Sequence, residues 1–150
     1  MTSFKRTNSG DPDFAHLVAL LDEDLAKRDG DEHAFYAQFN TIQSIRNAVV
    51  CYHNQDPVGC GAFKPYDETR VEVKRMFVLP QYRGQGIGAA ILHALEIWAA
   101  ELNYSASILE TGKKQPEAIR LYQREGYTLI ENYGQYKNIQ NSVCMTKSLI

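Results

Sequence analysis

The sequence predicts an α/β fold: a mixed, mostly antiparallel central sheet flanked by helices, in the order βααβββαβαββ. Alternating apolar runs fill the middle and the end of the chain, and apolar stripes of helical period lie between them. Turns marked by glycine, proline and Asn-Gln-Asp punctuate the two kinds of segment. A length of 150 residues with 44% apolar content suits one compact domain, spanning 1–150, around a single core.

Ser3 to Thr7 reads as a short first strand. Asp11-Pro12 then supplies an N-cap and a proline at the first helical position. Phe14, Leu17, Leu20, Leu21 and Leu25 follow at helical spacing, so a helix runs from Pro12 to about Lys27. Asp29-Gly30 breaks it, and Phe35, Phe39 and Ile42 suggest a second, weaker helix. Ala48 to His53 and Val58 to Lys64 form a hairpin about Asn54-Gln55-Asp56. Arg70 to Leu79 alternates, which puts Val71, Val73, Arg75 and Phe77 on one face and Glu72, Lys74, Met76 and Val78 on the other. A glycine loop leads into a helix from Ile87 to about Leu102, striped by Ile91, Leu92, Leu95, Trp98 and Leu102. Ser105 to Glu110 is a further strand, and Pro116 opens a helix that Gly126 ends. Thr128 to Tyr133 and Ser142 to Ser148 read as a final antiparallel pair.

A formal charge of −2 gives no electrostatic footprint for nucleic acid or an anionic membrane. No run approaches the roughly 18 apolar residues of a membrane span. Met1 to Asp11 is polar and has no signal-peptide apolar region, so a cytoplasmic location is expected. Cys51, Cys60 and Cys144 are never spaced as C-x-x-C, which predicts buried free thiols rather than disulfides or zinc. His16, His33, His53 and His93 are scattered, so no metal is expected.

The chemistry concentrates at Arg83-Gly84-Gln85-Gly86-Ile87-Gly88. Strand, loop and helix in that order aim unpaired backbone N–H groups, at the positive end of a helix dipole, towards an anion. Glycines at 84, 86 and 88 leave the backbone approachable, and Arg83 adds a charge suited to phosphate oxygens. A diphosphate is the expected ligand. A P-loop would need G-x-x-x-x-G-K-[ST], which is absent. A dinucleotide fold is closer, since Gly84-x-Gly86-x-x-Ala89 fits its loose fingerprint and Glu110 ends the next strand. However, Pro80, Gln81, Tyr82 and Arg83 intervene between strand and glycines, and too little chain follows Glu110 for a doubly wound sheet.

The run Val78 to Gly88 resembles the acyl-CoA-binding signature of the GNAT superfamily of N-acetyltransferases, Q/R-x-x-G-x-G/A, entered at Gln81 or Arg83. Gln115 to Tyr127 is similar to that family's second signature, N-x-x-A-x-x-x-Y-x-x-x-G-F/Y, with Gln115 where asparagine is usual. The element order agrees as well. The resemblance implies acetyl-CoA as acyl-donor cosubstrate and a primary amine, of a small molecule or peptide, as acceptor. It implies direct attack on the thioester, with no metal; a second copy of the chain is an admissible partner. It assigns the cofactor's pantetheine arm to Met76, Phe77 and Val78, where a bulge would free an N–H for the thioester oxygen. It assigns the pyrophosphate to Gln81, Arg83, Gly84, Gln85, Gly86, Ile87 and Gly88, with Gln115 and Ala118 on the next helix.

The resemblance also makes Tyr122 the candidate general acid. A phenol of ordinary pKa about 10 is protonated at neutral pH and can donate to a thiolate. The competing role is a space-filling tyrosine between helix and sheet. Glu72 matches a position where some members carry a catalytic glutamate and is the candidate base; Glu110 is a second. Glu72 could equally be a solvent-facing strand residue paired with Lys74. For the acceptor, Asp22, Glu23, Asp24, Asp29, Asp31 and Glu32 make an acidic segment able to attract a cationic amine, or merely a solvated helix end. Tyr133 and Tyr136 could wall an amine pocket. A catalytically idle acyl-CoA-binding domain and an NAD(P)-binding oxidoreductase are the alternative functions.

Overall fold

The structure is a computed structural model that describes residues 2–30 and 45–150. The expected second helix over Phe35, Phe39 and Ile42 lies outside these residues, as do Asp31, Glu32 and His33. Among the described residues seven strands form a single sheet: β1 (Thr2–Thr7), β2 (Asn47–His53), β3 (Asp56–Pro65), β4 (Arg70–Val78), β5 (Ala106–Gly112), β6 (Thr128–Ile130) and β7 (Ser142–Ser148). Their spatial order is β1-β2-β3-β4-β5-β7-β6, and only β4 and β5 run parallel. The described helices are α1 (Pro12–Asp29), α2 (Ile87–Glu101) and α3 (Pro116–Arg124).

Local chemistry sets the element ends. The Asp11 carboxylate accepts from the N–H groups of Asp13 at 2.8 Å and Phe14 at 3.3 Å, so α1 begins where its cap and proline require. Asn54 and Gln55, with φ of 50° and 78°, make the tight turn whose twist suits the β2–β3 hairpin. The last strand pair is shorter than the alternation suggests: β6 stops at Ile130. The Asn132 amide then donates to the carbonyls of Ile139 and Ser142, and Gly134–Tyr136 coils into a 3-10 turn. Tyr133 is therefore drawn beneath the sheet instead of extending a strand.

Two apolar layers sandwich the sheet. Ile91, Leu92 and Leu95 of α2 pack with Val49, Val71, Val73 and Leu109 on one face. Phe14, Leu17 and Leu21 of α1 pack with Val50, Cys60 and Phe77 on the other. The three cysteines are buried and unbridged. Leu102, expected in the stripe of α2, instead follows that helix and is exposed.

The alternation expected of β4 fails at one residue. Ala62 pairs with Lys74 and Cys60 pairs with Phe77, so three residue steps on β4 oppose two on β3. The surplus is a bulge at Arg75, whose φ is +61°. Phe77 therefore packs towards α1, on the opposite face from Val71 and Val73, while Met76 and Val78 face α2. Beyond the bulge the expected faces are reversed.

Candidate active site

The parallel pairing of β4 with β5 covers Arg70↔Ala106, Val71↔Ser107 and Glu72↔Ile108 and then ends, although both strands continue. A fork opens through the sheet, with Met76 to Val78 on one arm and Glu110 to Gly112 on the other. Two cavities meet there. The larger, about 500 Å³, runs from the fork to the glycine loop. The smaller, about 110 Å³, lies between β4, β5, α1 and Tyr136.

The large cleft gathers most of the cofactor residues expected from sequence. Met76, Phe77 and Val78 line it from β4; Arg83, Gly84 and Gly86 line it from the loop; Ile87 and Gly88 begin α2. Gln115 and Ala118 face them from α3. Gln81 and Gln85 do not line it; both are exposed. Tyr82, and Asp24 and Arg28 from α1, line it without having been expected.

The loop's glycines differ in what requires them. Gly84 and Gly86 sit at φ +78° and +82°, where side chains are strained, and a Cβ on either would meet nothing within 4 Å. The space above them is open. A Cβ on Gly88 would stand 3.4 Å from Leu121, an ordinary van der Waals contact, so neither space nor backbone requires glycine there. Gly86 caps α2 without any side-chain hydrogen bond, which leaves the first-turn N–H groups for a ligand. Arg83 lies back along the strand end: its Nε donates to the Val78 carbonyl at 2.8 Å, and its guanidinium stands over the Phe77 ring. Open space, glycine backbone, helix start and guanidinium together fit a diphosphate.

Tyr122 borders both cavities and is only 7% exposed. Burial, and secondarily the Glu110 charge, raise its pKa above that of an ordinary phenol, so it holds its proton. Its ring also packs edge-on against Tyr127 in the α2 layer. It therefore fills space between helix and sheet and presents a protonated group at the fork.

The small pocket is walled by charge. Glu72, 4% exposed, is no solvent-facing strand residue. Its Oε2 accepts from the Tyr133 hydroxyl at 2.6 Å, and its Oε1 lies 3.7 Å from Lys74 Nζ. Lys74, on the same face, loses basicity to burial, an effect that Glu72 and Glu110 partly offset. The register that ends at Glu72↔Ile108 brings Lys74 level with Glu110 across the fork. Tyr136 borders the pocket, whereas Tyr133 stands behind it, packed edge-on against Tyr66 and Tyr136. Burial and the nearby glutamates raise both phenols. Arg75 also lines the pocket; an arginine amid an apolar strand run was the signal for it. The acidic segment of α1 is partly neutralised: Asp22 pairs with Arg75 at 2.7 Å, and Asp24 with Arg28 at 3.3 Å. Arg28 also pairs with Glu117, joining α1 to the first turn of α3. Among the described residues no cluster suited to a metal ion occurs, and no helix is long and apolar enough to cross a membrane.

The sequence profile of the Acetyltransferase (GNAT) family matches residues 14–127, from α1 through Tyr127. An IAA acetyltransferase of Azospirillum brasilense is 41% identical over 140 residues, covering 88% of this chain and 90% of that protein. With a forked sheet, a glycine loop opening α2 and this match, the chain belongs to the GNAT acetyltransferase family and is an acyltransferase. A Klebsiella pneumoniae structure assigned to the acyl-CoA N-acyltransferases superposes with a TM-score of 0.82 at 32% identity, covering 100% of this chain and 99% of that one. A GNAT acetyltransferase of Elizabethkingia anophelis with acetyl-CoA bound shares the fold, with a TM-score of 0.71 at 18% identity over 98% of this chain and 97% of that one.

Proposed function

We propose that this protein is an acetyl-CoA-dependent N-acetyltransferase, one domain over 1–150, that acylates a primary amine of a small molecule or peptide by direct attack. The observation that carries this reading is Tyr122 at the junction of the two cavities. One cavity fits the donor and the other the acceptor, and a protonated phenol stands between them. Bound acetyl-CoA supplies an activated acyl thioester. Arg83 and the N–H groups following Gly86 hold its pyrophosphate. The unpaired edge of β4 from Met76 to Val78 holds the pantetheine arm, with Gln115 and Ala118 opposite. The bulge at Arg75 leaves main-chain N–H to stabilise the developing oxyanion. Tyr122 donates a proton at the departing sulfur. Glu72, oriented by Tyr133, receives the proton that the amine releases.

Acetyl as the transferred group is supported by the name of the Azospirillum relative. The test combines thermal shift with free-thiol release. Acetyl-CoA and CoA should raise the melting temperature, since a ligand at 100 times its Kd stabilises by about 2.7 kcal/mol, while NAD(P) should not. At least one amine from a panel of amino acids, polyamines and peptides should accelerate thiol release above the no-acceptor rate. Stabilisation by NAD(P) alone would overturn the reading. Acetyl-CoA binding with no active amine would replace it by an idle acyl-CoA-binding domain.

A further inference from the structure

Within that N-acetyltransferase reading, we infer that the acceptor is a zwitterion: an amine whose carboxylate is taken by Arg75 in the small pocket. Arg75 is 6% exposed and occupies a backbone conformation that costs a non-glycine residue energy. Its one charged partner among the described residues is Asp22, which accepts from a terminal guanidinium nitrogen at 2.7 Å and is itself half in solvent. Its Nε is buried and has no hydrogen-bond partner among the described residues. A guanidinium has five donors in a planar fork and favours bidentate anions, so a buried one held by a single edge retains capacity for a second anion. Burial without that second partner is costly, and strain of this kind persists where function requires it.

The rest of the pocket brings carboxylates. Glu72 and Glu110 both act on Lys74, so two carboxylates stand beside the pocket's ammonium. That wall suits the acceptor's amine, and Arg75 suits its carboxylate. Leu21, Leu25, Val73 and Met76 supply apolar lining, beside the polar Thr111 and Gln115, and favour an apolar substituent over a further charge. A purely cationic polyamine would leave the guanidinium uncompensated, and a neutral amine would leave it as it stands.

The test uses matched acceptors at saturating acetyl-CoA: leucine, leucinamide and isopentylamine, and the corresponding phenylalanine series, followed by thiol release. In at least one series the free carboxylate should exceed both carboxylate-free counterparts by about tenfold or more in kcat/KM, a typical consequence of one charge-assisted contact. Arg75→Gln should bring that ratio towards one while acetyl-CoA affinity, measured separately, is retained. Asp22→Asn, a half-exposed change on α1 that guards against misfolding of the first variant, should raise the ratio about threefold by removing the competing anion. Equal or better use of the amide or decarboxylated amine overturns the inference and leaves the acetyltransferase reading intact. So does a ratio unchanged in either variant. Acetyl-CoA binding with no active member of either series overturns the substrate class; absence of acetyl-CoA binding overturns the reading beneath it.

Discussion

The two cavities that meet at Tyr122 are built by opposite means. The glycine-loop cleft is made largely of backbone: Arg83 to Gly88 are contiguous, mostly exposed, and open to solvent above Gly84 and Gly86. The small pocket is made of side chains from distant segments, Glu72 to Arg75 on β4, Glu110 on β5 and Tyr136 in a turn; most of them are buried, and Glu72 is bonded to Tyr133 and paired with Lys74. Backbone donors recognise what every acyl-CoA shares. Buried charges must be matched by a particular partner, because leaving one uncompensated is expensive. On the proposed reading, the general half of the reaction lies in exposed main chain, and the discriminating half in the interior.

This contrast predicts a graded set of mutational outcomes. The largest effect is expected where the cavities touch: Tyr122→Phe should lower kcat by about 10²–10³-fold with little change in acetyl-CoA affinity. Equal turnover by the mutant, read by thiol release, would reduce the residue to packing. Next, Tyr133→Phe removes a donor to a buried carboxylate and should cost about 2 kcal/mol in denaturant unfolding. Unchanged stability would mean that the pocket is less preorganised than its bonds suggest. On the cleft side, Arg83→Ala should weaken acetyl-CoA binding about tenfold in titration and leave folding unaltered, since the residue is exposed. An equal dissociation constant would remove the arginine from the site.

The smallest effect is one of pH. Tyr122, Tyr127, Tyr133 and Tyr136 all have phenols raised by burial, so the folded chain keeps protons that the unfolded chain releases near pH 10. Their contribution to stability is complete below about pH 10 and falls as pH rises beyond it. The melting temperature should therefore show no phenol-linked decline until about pH 10. A kcat limb that falls between about pH 7 and 9 and vanishes in Tyr122→Phe would contradict the protonated state assigned to that residue.

Much of this molecule was legible in its sequence, for physical reasons that differ by region. Asp11-Pro12 caps a helix by local geometry, and Asn54-Gln55 turns a hairpin by backbone conformation; both signals act within a few residues. The glycine loop was legible on the same ground. Tyr133 was not, because the contacts that hold it off the strand, the Asn132 bonds to Ile139 and Ser142 and its own bond to Glu72, 61 positions away, are not local to it. The burial of Glu72 was hidden likewise: alternation assigns it a face but cannot say that a tyrosine turn covers that face. Arg75 broke the apolar pattern visibly, yet the bulge that explains it depends on pairing with β3.

The bulge also has a meaning in terms of chain length. With Arg75 left out, Met76 would stand opposite Gly61 and follow Lys74 in regular alternation, and Phe77 would remain opposite Cys60. Every flanking side chain would keep its layer. Arg75 is thus the one position in β4 that the sheet's arithmetic does not require, an insertion whose removal would cost the protein a guanidinium, a kink and the main-chain N–H that the kink frees, but no register. A feature of this kind is carried as a difference in chain length rather than as an exchange of side chains.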